Sequence, residues 1–306
     1  MIYTCTLNPS IDYRIEADQL KLGHLNRANI STFYPGGKGI NVSRVLNNLD
    51  TENTALGFLG GFTGKFIVDY LNGEEVNHSF VSHDGPTRVN VKLKETDRET
   101  EINGVGAKIS NESREALIEK IKMLKKGDYL VLSGSLPTSL EFSYYKELSQ
   151  ICYENEVSLI IDISYPELKD LLQYRPLLIK PNKEELNQIL GKELTTIEEI
   201  LEGGQELQRL GAQNVMISLG GEGAAFVNEK ETLIAIVPQG KVKSTVGSGD
   251  SMVAGFLSSY MKSLNIEQAF RYSVAAGSAT AFSHDLCKRE EVENLLPKIQ
   301  IKHYKL

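Results

Sequence analysis

An α/β fold with an open, mostly parallel sheet is the class this sequence predicts, and three observations carry the prediction. Short apolar runs without alternation recur at residues 129–132, 159–163, 177–179 and 215–219. Strands buried on both faces look like this, because helices cover both sides of a parallel sheet. Between the runs lie segments with the three-and-four spacing of amphipathic helices. The 306 residues are also ordinary in composition, 41% apolar and 24% charged. That length is near the limit of ~250–300 residues at which one core splits, so one large domain with a small appendage is expected.

In chain order, residues 1–7 form an apolar run with no basic region before it, followed at once by Asn8-Pro9. It reads as a first strand and not as a leader. A polar, strand-like piece covers residues 12–17. Pro35-Gly36-Gly37-Lys38-Gly39-Ile40-Asn41 opens a helix with Val42, Val45, Leu46 and Leu49 on one face. From 88 to 94 the chain alternates: Val89, Val91 and Leu93 point one way, Arg88, Asn90, Lys92 and Lys94 the other. Thr96-Asp97-Arg98 then turns, and 100–103 resumes as a strand, giving a half-exposed antiparallel ribbon. With residues 12–17 it would build a small sheet outside the main domain, such as a lid; an ordinary surface hairpin is the alternative. Ser110 or Asn111 caps a helix whose apolar face is Leu117, Ile118, Ile121 and Leu124. Met252, Val253, Phe256, Leu257, Tyr260, Met261 and Leu264 mark another helix.

Charge and cysteine usage exclude several classes. Lys and Arg number 33 against 40 Asp and Glu, so the net charge is 33 − 40 = −7. Nucleic acid and anionic membrane reward a basic surface, so neither is the expected partner. No stretch approaches the ~18 uncharged apolar residues that span a bilayer. Cys5, Cys152 and Cys287 are an odd, scattered set, which suits reduced thiols in the cytoplasm. The histidines show no ligand spacing for zinc.

Four segments carry chemistry. Thr245-Val246-Gly247-Ser248-Gly249-Asp250-Ser251 directly precedes the helix at Met252. Its glycines let several N–H groups point at one spot beside a helix N-terminus, which suits phosphate. An Asp there would repel a bound anion, but it suits taking a proton from a hydroxyl that attacks phosphorus. At the first glycine turn, Lys38 can neutralise a phosphate and Asn41 can bond a sugar hydroxyl. In Asn182-Lys183-Glu184-Glu185, Asn182 and Glu185 lie three apart on a helix and share a face, an arrangement of oxygen ligands for Mg²⁺, often through water. A plain acidic first helical turn explains the same spacing. Ser218-Leu219-Gly220-Gly221-Glu222-Gly223 is a glycine turn after a buried strand, either a close approach for a nucleotide or a tight turn. Gly60-Gly61-Phe62-Thr63-Gly64-Lys65 fails as a P-loop: its spacing is short, and Phe66 stands where Ser or Thr would hold Mg²⁺. Gly247-Ser248-Gly249 lacks the third glycine of a dinucleotide fingerprint, since position 252 is Met.

Taken together, 36–41 and 245–250 resemble the paired signatures of the ribokinase-like sugar kinases, the phosphofructokinase-B family. Leu7-Asn8-Pro9-Ser10-Ile11-Asp12, Ser133-Gly134-Ser135-Leu136-Pro137 and Lys180-Pro181-Asn182-Lys183-Glu184-Glu185 match in the same order, so the resemblance spans essentially the whole chain. It implies a three-layer α/β/α fold with a Rossmann-like sheet and a small β lid from about 11–34 and 86–104. It implies ATP and Mg²⁺. By matching positions, Asp250 would be the base, and Gly247, Ser248 and Gly249 the anion hole. Asn182 and Glu185 would position Mg²⁺. Lys180, Asn182, Ser218, Leu219, Gly220, Gly221, Glu222, Gly223 and Gly249 would meet the nucleotide. Asp12, Gly36, Gly37, Lys38, Asn41 and Ser135 would hold the sugar, and Arg88 its resident phosphate. Ser248 departs from the usual Ala; it adds a hydroxyl and leaves the backbone donors. Within the family, Thr87-Arg88-Val89-Asn90-Val91-Lys92 resembles the phosphosugar branch. Fructose 1-phosphate is then the expected substrate and tagatose 6-phosphate the alternative. Lys92 and Lys94 are expected to be solvated. The apolar side of the ribbon needs cover, and a homodimer stacked lid on lid would supply it.

Overall fold

The computed structural model describes residues 1–96 and 98–304. Asp97, in the expected turn at 96–98, lies outside the described residues. In chain order the strands are β1 (Ile2–Thr6), β2 (Ser10–Glu16), β3 (Ile30–Gly36), β4 (Asn53–Leu59), β5 (Val81–Ser82), β6 (Arg88–Lys94), β7 (Glu99–Ile102), β8 (Tyr129–Ser133), β9 (Ser158–Asp162), β10 (Leu178–Ile179), β11 (Asn214–Ser218), β12 (Ala224–Asn228), β13 (Thr232–Ile236) and β14 (Gln300–His303). The helices are α1 (Lys38–Asn48), α2 (Gly61–Gly73), α3 (Asn111–Lys122), α4 (Ser143–Glu154), α5 (Lys183–Leu190), α6 (Ile197–Arg209), α7 (Ser248–Ser263), α8 (Ile266–Phe282) and α9 (Arg289–Leu295).

Ten strands form the main sheet in the order β14-β13-β12-β11-β10-β9-β8-β1-β4-β5. From β5 through β11 every neighbouring pair is parallel; β12, β13 and β14 add an antiparallel edge. The unalternating apolar runs are the central strands β8 to β11, apolar on both faces because both faces are covered. Ile2, Val131, Ile160, Leu178 and Met216 pack under α1, α7, α8 and α9. Cys5, Leu132, Ile161, Ile179 and Ile217 pack under α3, α4, α5 and α6. This is the expected three-layer α/β/α arrangement, and all three cysteines are free and buried in it. Among the described residues no helix is long and apolar enough to cross a membrane.

A second sheet has the order β3-β2-β6-β7. β6 and β7 pair antiparallel, as the ribbon reading expects, while β2 and β6 run parallel. On one face Tyr13 stacks on Phe33 at 4.2 Å between ring centroids. On that face Phe33, Val89 and Ile102 are exposed, at 48%, 37% and 62%. Ser110, not Asn111, caps α3: its Oγ accepts from Ser113 N–H at 3.2 Å.

Candidate active site

Parallel strands end at one rim, and the chain segments at that rim line a cleft of about 1280 Å³. β1, β8, β9, β10 and β11 close with Thr6, Ser133, Asp162, Lys180 (the residue after β10) and Ser218. Alternation puts each of these on the α1 and α7 face, an even number of residues beyond Ile2, Val131, Ile160, Leu178 and Met216. The chain leaves β1 for β4 on one side and returns as β8 on the other. Open α/β sheets bind ligands at such a switch in strand order. Ser10, Asp12, Arg88, Asn90 and Lys92 of the small sheet line the same cleft.

Two glycine-capped helices start at this cleft. Gly37 caps α1 at φ 117°, and a Cβ there would fall 2.6 Å from Thr6 Cγ2. Gly247 caps α7 at φ 77°, where a Cβ would fall 2.5 Å from Leu286 Cδ2. Neither start has a side-chain cap, so first-turn N–H groups remain for an anion. α7 begins at Ser248, four residues before the apolar period at Met252 indicates. Ser248, Gly249 and Asp250 add nothing to the apolar face, so periodicity cannot see this first turn. Asp250 therefore belongs to the helix, and the Ser248 hydroxyl is buried without a partner.

Asp250 is 6% exposed, and its Oδ2 accepts Asn41 Nδ2 at 2.8 Å. Burial first, and then the neighbouring Asp162, push its carboxyl up to about 6. Asp162 is 1% exposed and stands between two lysines. Lys38 Nζ donates to its Oδ1 at 3.0 Å, and Lys180 Nζ lies 3.4 Å from its Oδ2. Burial alone would raise the Asp162 carboxyl, but Lys180 and Lys38 outweigh it and hold it below the usual range. Burial alone would lower Lys38, but Asp162, Asp250 and Glu185 carry it upward. Lys180 also underlies the second turn: a Cβ on Gly249 would sit 3.0 Å from its Nζ. Sequence reasoning passes over Asp162. The signal that could have found it is a lone charge inside the apolar run 159–163.

Asn182 and Glu185 sit side by side at the start of α5, facing the cleft. Asn182 is the N-cap of α5 and Glu185 its third residue, joined as a capping box: Glu185 N–H donates to Asn182 Oδ1 at 2.8 Å, and Asn182 N–H to Glu185 Oε2 at 2.9 Å. Ser164 Oγ donates to the other Glu185 oxygen. Among the described residues no group of three or more His, Cys, Asp or Glu could hold a metal. Among the described residues the carboxylates are too few for an ion held by protein alone, a donor set that would suit Mg²⁺ carried by phosphate oxygens and water.

Where the nucleotide is expected, residues 218–223 line the cleft with Val237, Val242, Val274 and Phe282. The turn at 220–222 is one short 3₁₀ piece, and Gly223 at φ 105° lies against the Ala235 carbonyl. The apolar wall carries no sequence signal of its own. Of the residues expected to hold the sugar, Gly37, Lys38, Asn41, Asp12, Arg88 and Ser135 all line the cleft, and Ser135 Oγ accepts Asn8 Nδ2 at 3.2 Å. Gly36 is not among the lining residues. Its role is room: a Cβ there would fall 2.6 Å from both Asp12 and Ser10. The Arg88 guanidinium donates to the carbonyls of Asn8, Pro9 and Gly104 at 3.0, 3.4 and 3.4 Å. Among the described residues no carboxylate forms an ion pair with it. Lys92 is not solvated as expected: it is 15% exposed and pairs across the ribbon with Glu101 at 2.5 Å. Lys94 is half-buried, its Nζ on the Lys243 carbonyl at 3.3 Å.

Comparisons with known proteins place the chain among sugar kinases. The chain is 44% identical to the 1-phosphofructokinase of Bacillus subtilis (strain 168), over 98% of this chain and 99% of that one. It is 41% identical to the D-tagatose-1-phosphate kinase of Bacillus licheniformis, over 99% and 100%. The crystal structure of the phosphofructokinase-2 from Escherichia coli in complex with fructose-6-phosphate matches at a TM-score of 0.90 and 30% identity, covering 97% and 98%. Residues 6–291 match the family described as pfkB family carbohydrate kinase. A match over nearly the whole chain, together with these relatives, shows that this chain belongs to the pfkB family of carbohydrate kinases, phosphotransferases with a hydroxyl acceptor.

Proposed function

We propose that the chain transfers the γ-phosphoryl of ATP to the C6 hydroxyl of fructose 1-phosphate, giving fructose 1,6-bisphosphate and ADP. One observation carries the reading: a nearly buried carboxyl, Asp250, held by Asn41 at the mouth of a glycine-capped helix. A group near 6 is mostly ionised at neutral pH and is still basic enough to take the proton of the attacking hydroxyl. Backbone N–H groups of Gly247, Ser248 and Gly249 then bind the charge on the moving phosphoryl. Lys180 and residues 218–223 meet the nucleotide. Mg²⁺, when bound, neutralises charge on its phosphates, and Glu185, braced by Asn182, orients the waters around it.

Asp12, Gly37, Lys38, Asn41 and Ser135 hold the sugar. Arg88, a cation with no carboxylate partner among the described residues, takes its resident phosphate as a two-pronged fork. The sheet built from about 11–34 and 86–104 acts as a lid that keeps water from the phosphoryl. Its exposed apolar face, with Phe33, Val89 and Ile102, is covered by the same face of a second copy. A monomer in light scattering at micromolar concentration would refute that pairing. Full-length relatives at 44% and 41% identity that are named 1-phosphofructokinase and D-tagatose-1-phosphate kinase support a 1-phosphate substrate.

A coupled ADP assay with fructose 1-phosphate, tagatose 1-phosphate, fructose 6-phosphate and tagatose 6-phosphate tests the substrate. The largest kcat/KM is expected for fructose 1-phosphate. A larger value for any other sugar reassigns the substrate, and ADP formation with none of them overturns the kinase reading.

A further inference from the structure

We infer that Asn90 is a positioning residue for the sugar side of the cleft, holding Asp12 and Arg88 in one geometry; the inference rests on the phosphosugar reading above. Asn90 lies on β6, 6% exposed, in register with Asp12 on β2. Its Nδ2 donates to Asp12 Oδ1 at 2.9 Å and to Ser10 Oγ at 3.0 Å. Ser10 Oγ donates in turn to the same Asp12 oxygen at 2.8 Å. At its other end, Asn90 Oδ1 accepts the Gly104 N–H at 3.1 Å, and the Gly104 carbonyl accepts from Arg88 Nη1 at 3.4 Å. One side-chain amide thus joins the carboxylate to the backbone that anchors the guanidinium.

The chemistry fixes the orientation of that amide. Reversed, its oxygen would face the Asp12 carboxylate and its NH₂ the Gly104 N–H, so both ends would repel. Two glycines give the network its space. A Cβ on Gly36 would crowd Asp12 and Ser10 at 2.6 Å, and one on Gly104 would fall 2.4 Å from the Val89 carbonyl oxygen. Both donors go to Asp12 Oδ1. Oδ2 has no hydrogen-bond partner among the described residues, and Asp12 lines the cleft. That oxygen is left for a hydroxyl of the sugar, at an angle set by Asn90 and Ser10. Asn90 itself need not touch the substrate.

Titration calorimetry with fructose 1-phosphate and, separately, with a non-hydrolysable ATP analogue tests this on the wild type, Asn90→Ala and Asn90→Asp. Losing a charge-assisted donor predicts about a tenfold or greater loss of phosphosugar affinity in both variants, with nucleotide affinity within about twofold. Asn90→Asp keeps the shape and sets one carboxylate against another. Its phosphosugar affinity recovers in part between about pH 8 and about pH 6, as one proton comes to be shared between the two, and that of Asn90→Ala does not. A merely structural residue would show no such pH-dependent recovery. Unchanged phosphosugar affinity overturns the inference; so does equal weakening of both ligands, or a pH-independent loss in Asn90→Asp. Should Asn90→Ala not fold, Ser10→Ala is the second variant, and the same split between ligands is expected. A wild type that binds the analogue but no phosphosugar overturns the functional reading and this inference with it. Binding by the wild type that the variants keep overturns the inference alone.

Discussion

At the start of α1, Gly37 turns the chain so that Lys38 enters the cleft; at the start of α7, Gly247 does the same for Asp250. The backbone device is shared: a positive-φ glycine, no side-chain cap and free N–H groups. The electrostatics are opposite. Lys38 meets a carboxylate, Asp162, at 3.0 Å, and its charge is locked in. Asp250 has a neutral partner, Asn41, and is held near the point of changing charge. The difference teaches a division of labour. A compensated charge is suited to holding an anion through every state of a reaction. A buried carboxyl whose hydrogen-bond partner is neutral is suited to taking up a proton during one.

The largest expected effect breaks the α7 side. Asp250→Asn keeps the Asn41 hydrogen bond and loses the base, so kcat falls by about 10²–10⁴ while ATP affinity is kept. Turnover near the wild-type value would sink the assignment of Asp250.

A smaller effect sharpens the comparison by disturbing the α1 side. The Asp162 charge helps to raise the Asp250 carboxyl. In the wild type kcat/KM should fall as pH drops through about 6. Asp162→Asn removes that carboxylate and frees two lysines, so the acid limb should move to lower pH. An unmoved limb would show that the two turns are electrically independent. The variant should also melt earlier, because it leaves Lys38 and Lys180 without their partner.

The smallest effect concerns stability. The Asp250 carboxyl ionises near 6 in the fold against 3.8 ordinarily, so its protonated form is the one the fold favours. That contribution is complete below 3.8 and is lost as pH rises through about 6. At pH 8 the buried carboxylate therefore costs stability, on the order of 3 kcal/mol. Asp250→Asn, nearly inactive, should melt a few degrees higher than the wild type at pH 8, with the gap closing as the pH is lowered below about 6. Equal melting temperatures at pH 8 would place the Asp250 ionisation nearer its ordinary value.

Much of the fold was legible along the chain. Unalternating runs marked the central strands, and strict alternation at 88–94 marked β6, because each pattern reports which faces are covered. The glycine turns at 36–39 and 247–249 were legible because few other residues adopt those backbone angles. The start of α7 was not, since its first turn carries no apolar side chain. Lys92 was misread because its partner, Glu101, comes from the next strand.

By itself the sequence determined the alternation of buried strands with helices, the two glycine turns at helix starts and the inventory of acids, amides and cations near them. Only the tertiary structure decided their pairings. Asp162 meets Lys38 across 124 positions, and Asp250 meets Asn41 across 209. Asn90 meets Asp12 across 78. Such contacts depend on strand order and register, which local propensity does not encode. The same holds for charge: 33 basic against 40 acidic residues leave an acidic chain. Yet the cleft sets Lys38, Lys180 and Arg88 where anionic ligands would enter. Net charge sums over the whole surface, whereas capture of an anion depends on what folding brings within a few ångströms of it.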